Sequence, residues 1–465
     1  MLGEEEELRT ELDHLEALKE AEKWEQCALW GEVIAARSES EGNRDASGNA
    51  LFICAYARGQ LGDLEGAIDA YERAIRVGFS TKGVVFNLAN SYRVQGESKK
   101  ALELYQKILE ANPRDGATIC NMAFTWEDLG ERKEADKYFK LGAEVFCENE
   151  DAITNCSFTL LREGRLKEGW DLYERRGEKE KTVRFSPNYK LGMDLTNKRV
   201  LIAVEQGYGD VLMFAGLIRE IQGKAKEVTL LCDERLLPTL KRSLPSVEVT
   251  SVMVTEEITR FDIRMGIASL GTECRYVETS EFEPVRPYLR SSKKKREEAR
   301  KKLKKLKAGK IVAGIAWKGG GDERNRKRRS IELGLLRPLL ELSGIEWINM
   351  QYGNVDEEIR AVFKQTGVEI HNLFDPTEDL EGLTAYVQEV DVVVSVQQTL
   401  VHFAGGSGAR CEALIPVVPE WRYGISGSSM LWWKSVRLHR QEKLGDWNDA
   451  ISKIRRELEK MVYEK

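Results

Sequence analysis

The sequence predicts an α + α/β multidomain protein: a helical solenoid followed by two doubly wound α/β domains. Three observations carry that expectation. Residues recur with a period of 34 through the first part of the chain, the pattern switches near Arg199 to short apolar runs alternating with helical stretches, and a second alternation of that kind starts at Ile311.

At 465 residues the chain exceeds what one core usually organises, so two or three domains are expected. Hydrophobic residues at 42% and charged residues at 32% fit a globular, helix-rich chain rather than a disordered one. The net charge of −6 argues against a general nucleic-acid binder, and no nucleic-acid partner is expected. Eight cysteines without a CxxC pair or zinc spacing read as reduced, mostly buried thiols, hence a cytoplasmic setting. The start, Met1-Leu2-Gly3 and four glutamates, lacks the pattern of a signal peptide, and no stretch reaches the ~18 apolar residues of a transmembrane segment.

The repeat is read from Leu88, Ala89, Tyr92, Gly96, Ala101 and Tyr105, which return 34 residues later as Met122, Ala123, Trp126, Gly130, Ala135 and Phe139. The same spacing backwards meets Ala55, Gly62, Ala67 and Tyr71, and forwards a looser Gly164, Gly169 and Tyr173. Alanines let two helices approach, an aromatic fills the groove between them, and glycine permits the joining turn. A helix pair of this kind buries its apolar face only by stacking on neighbours. Coiled-coil heptads would not space glycines and alanines this way. The pattern resembles tetratricopeptide repeats, with a degenerate copy over 24–35, and assigns 1–185 to a solenoid that holds an extended partner.

Beyond it, strands are expected at 200–204, 228–232, 247–252 and 261–267, with a helix at 211–221. A second set is expected at 311–317, 345–350, 368–373, 390–396 and 413–418. The resulting domains are 186–290 and 309–440, joined by a basic helix at 291–308 and followed by a C-terminal helix at 441–465. The stretch 291–310 carries eleven lysines and arginines against two glutamates, yet Ala299, Leu303 and Leu306 share one helical face. An amphipathic linker helix and an anionic surface contact both fit it, the first more simply. Tandem doubly wound domains bind ligands between their strand ends. Neither Gly207-x-Gly209 nor Gly319-Gly320-Gly321 completes a dinucleotide fingerprint, which disfavours hydride transfer.

Glu205-Gln206-Gly207-Tyr208-Gly209-Asp210, the segment Val394 to Gly405, and the tail with Pro419-Glu420-Trp421-Arg422-Tyr423-Gly424 and Arg437-Leu438-His439-Arg440-Gln441 together resemble bacterial proteins that join tetratricopeptide repeats to a heptosyltransferase-like glycosyltransferase. Some of these are linked to protein glycosylation, flagellins included. The resemblance implies two Rossmann-like domains in a GT-B arrangement, with the last helix crossing back to the first. It also implies metal-independent, inverting transfer from a nucleotide-sugar to a protein acceptor held by the repeats, with no further cofactor. The chain departs from the family where Gln397-Gln398 replaces Asp-Thr.

Asp210, on a glycine loop, fits a general base and also a helix N-cap; the resemblance favours the base, with Glu205 as an alternative. Gly207 and Gly209 shape that loop. Gln397, Gln398, Thr399 and His402 stand where a strand turns into a helix, whose free amides suit a diphosphate. A satisfied core histidine is the plainer reading of His402, and the resemblance makes it a donor contact. Lys318, before three glycines, and Arg329, last of Arg326-Lys327-Arg328-Arg329, are the expected phosphate cations; one or two of that run are expected to face phosphate and most of it to be a solvated loop, with Ser330 a cap for the next helix. Trp421, Tyr423, Trp432 and Trp433 fit core packing and base stacking equally. The absence of any Asp-x-Asp agrees with the metal-independent mode. Two other readings stand beside the leading one: a non-catalytic repeat adaptor, favoured by Gln397-Gln398, and a lipopolysaccharide-core transferase, which leaves the repeats idle.

Overall fold

The computed structural model describes residues 2–176, 187–321 and 323–465. It begins with ten helices: α1 (Leu2–Glu20), α2 (Trp24–Ser40), α3 (Arg44–Gln60), α4 (Leu64–Arg76), α5 (Lys82–Gln95), α6 (Ser98–Ala111), α7 (Gly116–Asp128), α8 (Arg132–Val145), α9 (Glu150–Arg162) and α10 (Leu166–Tyr173). Gly62, Gly96, Gly130 and Gly164 join the pairs from α3–α4 to α9–α10 with φ of 82°, 95°, 78° and 82°. That left-handed turn explains why glycine recurs at this spacing. Asn43, Asp63, Thr81 and Asp115 each cap a helix by accepting from a backbone N–H of its first turn. Ala55, Ala89 and Ala123 are fully buried, as are Ala67, Ala101 and Ala135. Each aromatic of the period meets one on the preceding helix: Phe52–Tyr71 at 6.2 Å, Phe86–Tyr105 at 6.1 Å and Phe124–Phe139 at 5.1 Å between centroids.

The chain divides into two compact units, Met1–Ala152 and Ile153–Lys465. The boundary expected at 185/186 lies outside the described residues. Helix α10 and most of α9, counted with the solenoid on sequence, fall in the second unit. The reason is an aromatic core in which Trp170 and Tyr173 pack with Phe214, Trp421 and Trp432. The Trp170 indole also donates to the Arg275 carbonyl at 2.9 Å.

The second unit holds two parallel sheets. The first comprises β1 (Arg199–Ala203), β2 (Glu227–Leu231), β3 (Glu248–Thr250) and β4 (Ile263–Gly266) in the order β3-β2-β1-β4. The second comprises β5 (Ile311–Ala316), β6 (Ile345–Asn349), β7 (Ile370–His371), β8 (Val392–Val396), β9 (Cys411–Ile415) and β10 (Val436–Arg440), ordered β10-β9-β8-β5-β6-β7. The order reverses between β1 and β4 in one sheet and between β5 and β8 in the other. The loops after β1, β5 and β8 therefore stand at switch points, where a doubly wound sheet opens a crevice.

Four local expectations are corrected. Strand β10 was not expected, because Arg437, His439 and Arg440 mask its alternation; His439 is tolerated inside through a 2.7 Å bond to Glu412 of β9. The 211–221 helix is two helices, Tyr208–Ala215 and Ile218–Ile221. The basic run 326–329 is not a loop but part of the helix Glu323–Arg329. The C-terminal helix, Asn448–Tyr463, buries Ile451, Ile454 and Leu458 with Ile311, Val392 and Leu414 of the second sheet, so it does not make the crossing the resemblance implied.

The basic helix forms as Lys293–Lys304, capped by Ser292, with Ala299 and Leu303 buried. Part of its charge is paired: Lys295 meets Asp379 at 2.6 Å, and Arg296 and Arg300 both meet Glu389. Among the described residues, no helix is long and apolar enough to cross a membrane.

Candidate functional site

A cleft of about 640 Å³ opens where these switch-point loops meet. Two helix N-termini face it, Tyr208–Ala215 after β1 and Thr399–Ser407 after β8. Each helix start presents backbone N–H groups with no intrahelical partner and the positive end of a dipole. The close approach depends on Gly209: a Cβ there would stand 3.1 Å from His402 Cδ2 and 3.7 Å from Thr399 Cα. Among the described residues four arginines also line the cleft, Arg235, Arg326, Arg329 and Arg422, against two carboxylates, Asp210 and Glu420. Tyr352, Pro376, Leu380 and Leu383 make a more apolar end. The combination can hold a ligand with an anionic part and a flat apolar part.

Eight of the nine residues singled out on sequence line this cleft: Gly207, Gly209, Asp210, Arg329, Gln397, Gln398, Thr399 and His402. Gly207 is the N-cap of its helix, which places Asp210 inside the first turn rather than at the cap. Asp210 is buried, and its Oδ1 accepts from Arg422 Nε. Burial pulls the Arg422 guanidinium down, but Asp210 more than offsets it and holds the group above the usual arginine range. Arg422 is therefore a fixed cation.

Gln397 is buried, and its Oε1 accepts from the Glu420 N–H at 3.2 Å, tying β8 to the 420–423 segment. Gln398 precedes the helix without capping it, and its buried Nε2 lacks a hydrogen-bond partner among the described residues. Arg329 Nε is likewise buried and unpaired, while its two other nitrogens engage Glu420 and the Gly320 carbonyl. Unsatisfied donors in a concave site are what an acceptor-rich ligand would use.

His402 Nδ1 accepts from Trp433 Nε1 at 3.2 Å, which leaves the ring proton on Nε2, beside Gly209. Burial first, and the Arg422 charge second, push its pKa down to about 3, so the ring stays neutral near pH 7. His402 can donate one hydrogen bond here but cannot act as a cation.

Three residues depart from expectation. Lys318 does not line the cleft; its ammonium pairs with Glu358 of the helix Asp356–Thr366, while its own N–H and that of Trp317 bind Gln351 Oε1 at 2.8 and 2.9 Å. Glu205 is also elsewhere. It accepts from the N–H groups of Ile267 (2.7 Å) and Ala268 (3.2 Å) and pairs with Arg176 at 3.0 Å, so it fastens the loop after β4. Ser330 accepts from the Gly319 N–H at 3.0 Å instead of capping a helix.

Sequence reasoning missed Arg235 and Arg422 as cleft residues, and of the run 326–329 it singled out Arg329 but not Arg326. Arg422 stands between Trp421 and Tyr423, both buried, in a 3-10 turn, and its guanidinium lies over the Trp421 ring. Arg235 reaches from the loop after β2 to the Thr377 carbonyl on the opposite side of the cleft, which nothing in its neighbourhood announces. Of the aromatics, Trp421, Trp432 and Trp433 are core, and Tyr423 is buried with one side on the cleft.

Fold and site together define a helical-repeat protein that carries a two-sheet α/β unit with a cationic, amide-lined cleft. Residues 48–143 match the tetratricopeptide repeat family, and the helix pairs there are repeats of that kind. The chain is 29% identical over 320 residues to Protein FlbA of Caulobacter vibrioides, a match that covers 63% of this chain and 52% of FlbA, so it spans about half the length of that curated relative. Among solved structures, a glycosyl transferase family 9 protein from Veillonella parvula is similar at 11% identity and a TM-score of 0.42, over 59% of this chain and 99% of that one. MamA from Desulfovibrio magneticus is similar at 12% identity and a TM-score of 0.25, over 32% of this chain and 90% of that one.

Proposed function

We propose that the chain is a glycosyltransferase that moves a sugar from a nucleoside diphosphate to a protein acceptor, with inversion and without a divalent metal. The observation that carries this reading is the convergence of two helix N-termini, four arginines and the neutral His402 on one cleft. Free amides and fixed cations are what a diphosphate leaving group needs as charge develops on it. In the proposed step the acceptor oxygen forms a bond to the anomeric carbon, and the bond from that carbon to the diphosphate breaks. The acceptor proton passes to Asp210, on Oδ2, since Arg422 occupies Oδ1. Arg326, Arg329 and the amides of the 399–407 helix take the diphosphate. Gln398 and His402 Nε2 donate to the sugar or the phosphate. The repeats supply the surface that holds the acceptor.

Titration calorimetry with a nucleoside, the nucleoside diphosphate and a nucleotide-sugar tests this. The diphosphate is expected to bind at least tenfold more tightly than the nucleoside, and Thr399→Val with His402→Ala to erode that difference. If no nucleotide binds the folded protein at millimolar concentration, the transferase reading fails. One observation favours a binding-only alternative, namely the arginine already engaged with Asp210. Under it, nucleotide binds but neither transfer nor donor hydrolysis is detected.

A further inference from the structure

A second concave site, of about 650 Å³, lies beside β10 and is separate in its residues from the cleft. One wall is β10 with the segment 427–429. The other is the helix Asn448–Tyr463, whose Lys453, Arg456, Glu457 and Lys460 recur at i, i+3, i+4 and i+7 and so form one stripe.

The charges here do not balance. Glu457 is the one carboxylate among the described residues that line the groove, and it meets Arg437 at 2.7 Å and Lys460 at 3.0 Å; Arg410, which also reaches it at 3.0 Å, has Glu412 at 2.7 Å. Lys453 has its own partners in Asp449 and Glu442. Arg440 is the least compensated. Its guanidinium donates to the carbonyl oxygens of Tyr423 (2.6 Å), Gly424 (3.0 Å), Ser426 (2.9 Å) and Gly427 (2.8 Å), and no carboxylate pairs with it among the described residues. Carbonyls satisfy its protons and leave its charge. Burial accordingly pulls its pKa down to about 10. Exposed Arg456 adds a further cation at the rim.

We infer that this groove binds a phosphate-bearing anion, free or as a lipid headgroup. Arg437, Arg440 and Arg456 supply the charge, and the hydroxyls of Ser428 and Ser429 supply neutral donors. A phosphate brings up to two negative charges and three acceptor oxygens to one point, which a lone carboxylate does not. Arg440 also fastens the 423–427 segment, whose first residue, Tyr423, lines the cleft. The inference does not rest on the nucleotide reading of the cleft.

The test is a calorimetric titration of the full chain with inorganic pyrophosphate at constant ionic strength, paired with co-sedimentation on vesicles of phosphatidylcholine with or without phosphatidic acid. Both arms start from an Arg326→Gln/Arg329→Gln variant, which weakens the cleft's own hold on phosphate; what the cleft retains is common to the two proteins compared, so the groove is read as the difference between them. Adding Arg437→Gln/Arg456→Gln, with folding checked by circular dichroism, is expected to weaken binding at least tenfold in one arm. Loss in the pyrophosphate arm identifies a soluble ligand, and loss only on phosphatidic acid vesicles identifies a headgroup. Equal binding by parent and groove variant in both arms, or binding in neither, overturns the inference. A cleft that binds no nucleotide leaves this result untouched.

Discussion

Replacing Arg422 with methionine removes one partner of a buried ion pair while keeping most of the apolar stem. Asp210 is 7% exposed, and the Arg422 and Asp210 side chains retain 14% and 10% of their accessible surface, so water can screen little of the charge left behind. Breaking such a pair from one side costs about 3–5 kcal/mol, mostly because the remaining charge is stranded. A further loss of roughly 0.5–2 kcal/mol comes from the guanidinium over the Trp421 ring, 4.9 Å from its centroid. Asp210→Asn in the same chain removes the stranded charge but not the lost ring contact. The double variant should therefore recover about 2–3 kcal/mol relative to Arg422→Met alone. Urea unfolding followed by tryptophan emission is a suitable assay, because Trp170, Trp421 and Trp432 share the adjoining core. A cost under about 1 kcal/mol for Arg422→Met, with no recovery in the double variant, would refute the claim that the pair is desolvated and clamps the cleft.

Three further outcomes are expected. His402 has its folded pKa pushed down to about 3 from an ordinary 6.5, so between those values the unfolded chain binds the extra proton. Its contribution to stability is complete above pH 6.5 and is lost at up to about 1.4 kcal/mol per pH unit as the pH falls toward 3; His402→Gln should flatten that part of the urea-midpoint profile, and an unchanged profile would show the ring to be hydrated. A fragment of residues 150–465 should unfold cooperatively on heating, whereas one of 187–465 loses Trp170 and Tyr173 from its core and should melt at least several degrees lower; equal melting temperatures would contradict the core assignment. Gly96→Ala, at a φ of 95°, should cost the repeats about 1 kcal/mol by thermal or urea unfolding, and a neutral result would mean that the turn readily adopts another conformation.

Most of the fold was legible because its signals are local. The period of 34 records a turn that needs glycine and a helix contact that needs alanine, and both requirements sit within one repeat. The β5 run is apolar throughout and the β8 run is so except for Ser395, as strands covered on both faces tend to be. Strand β10 was not legible, since its arginines and histidine pass for a loop until Glu412 is placed beside them. The site was legible as two segments, 205–210 and 394–405, each a strand end leading into a helix. Lys318 was misplaced for a related reason: a strand end next to three glycines points to the crevice as a rule, but Glu358 lies close enough to draw the ammonium aside.

By itself the sequence determined what depends on neighbours along the chain: the repeat period, the two strand–helix alternations and the glycine loop that carries Asp210. Tertiary structure alone decided which charges share a space. Arg422 is 212 residues from Asp210 in sequence and Arg235 is 142 from Thr377, and no periodicity links such positions. Whether Asp210 meets water or a guanidinium, and whether His402 is an ion or a neutral donor, follows from burial and from groups brought close only when the two sheets close on their cleft. Electrostatic interaction depends on distance through space and on the dielectric around it, and neither is written in the order of residues.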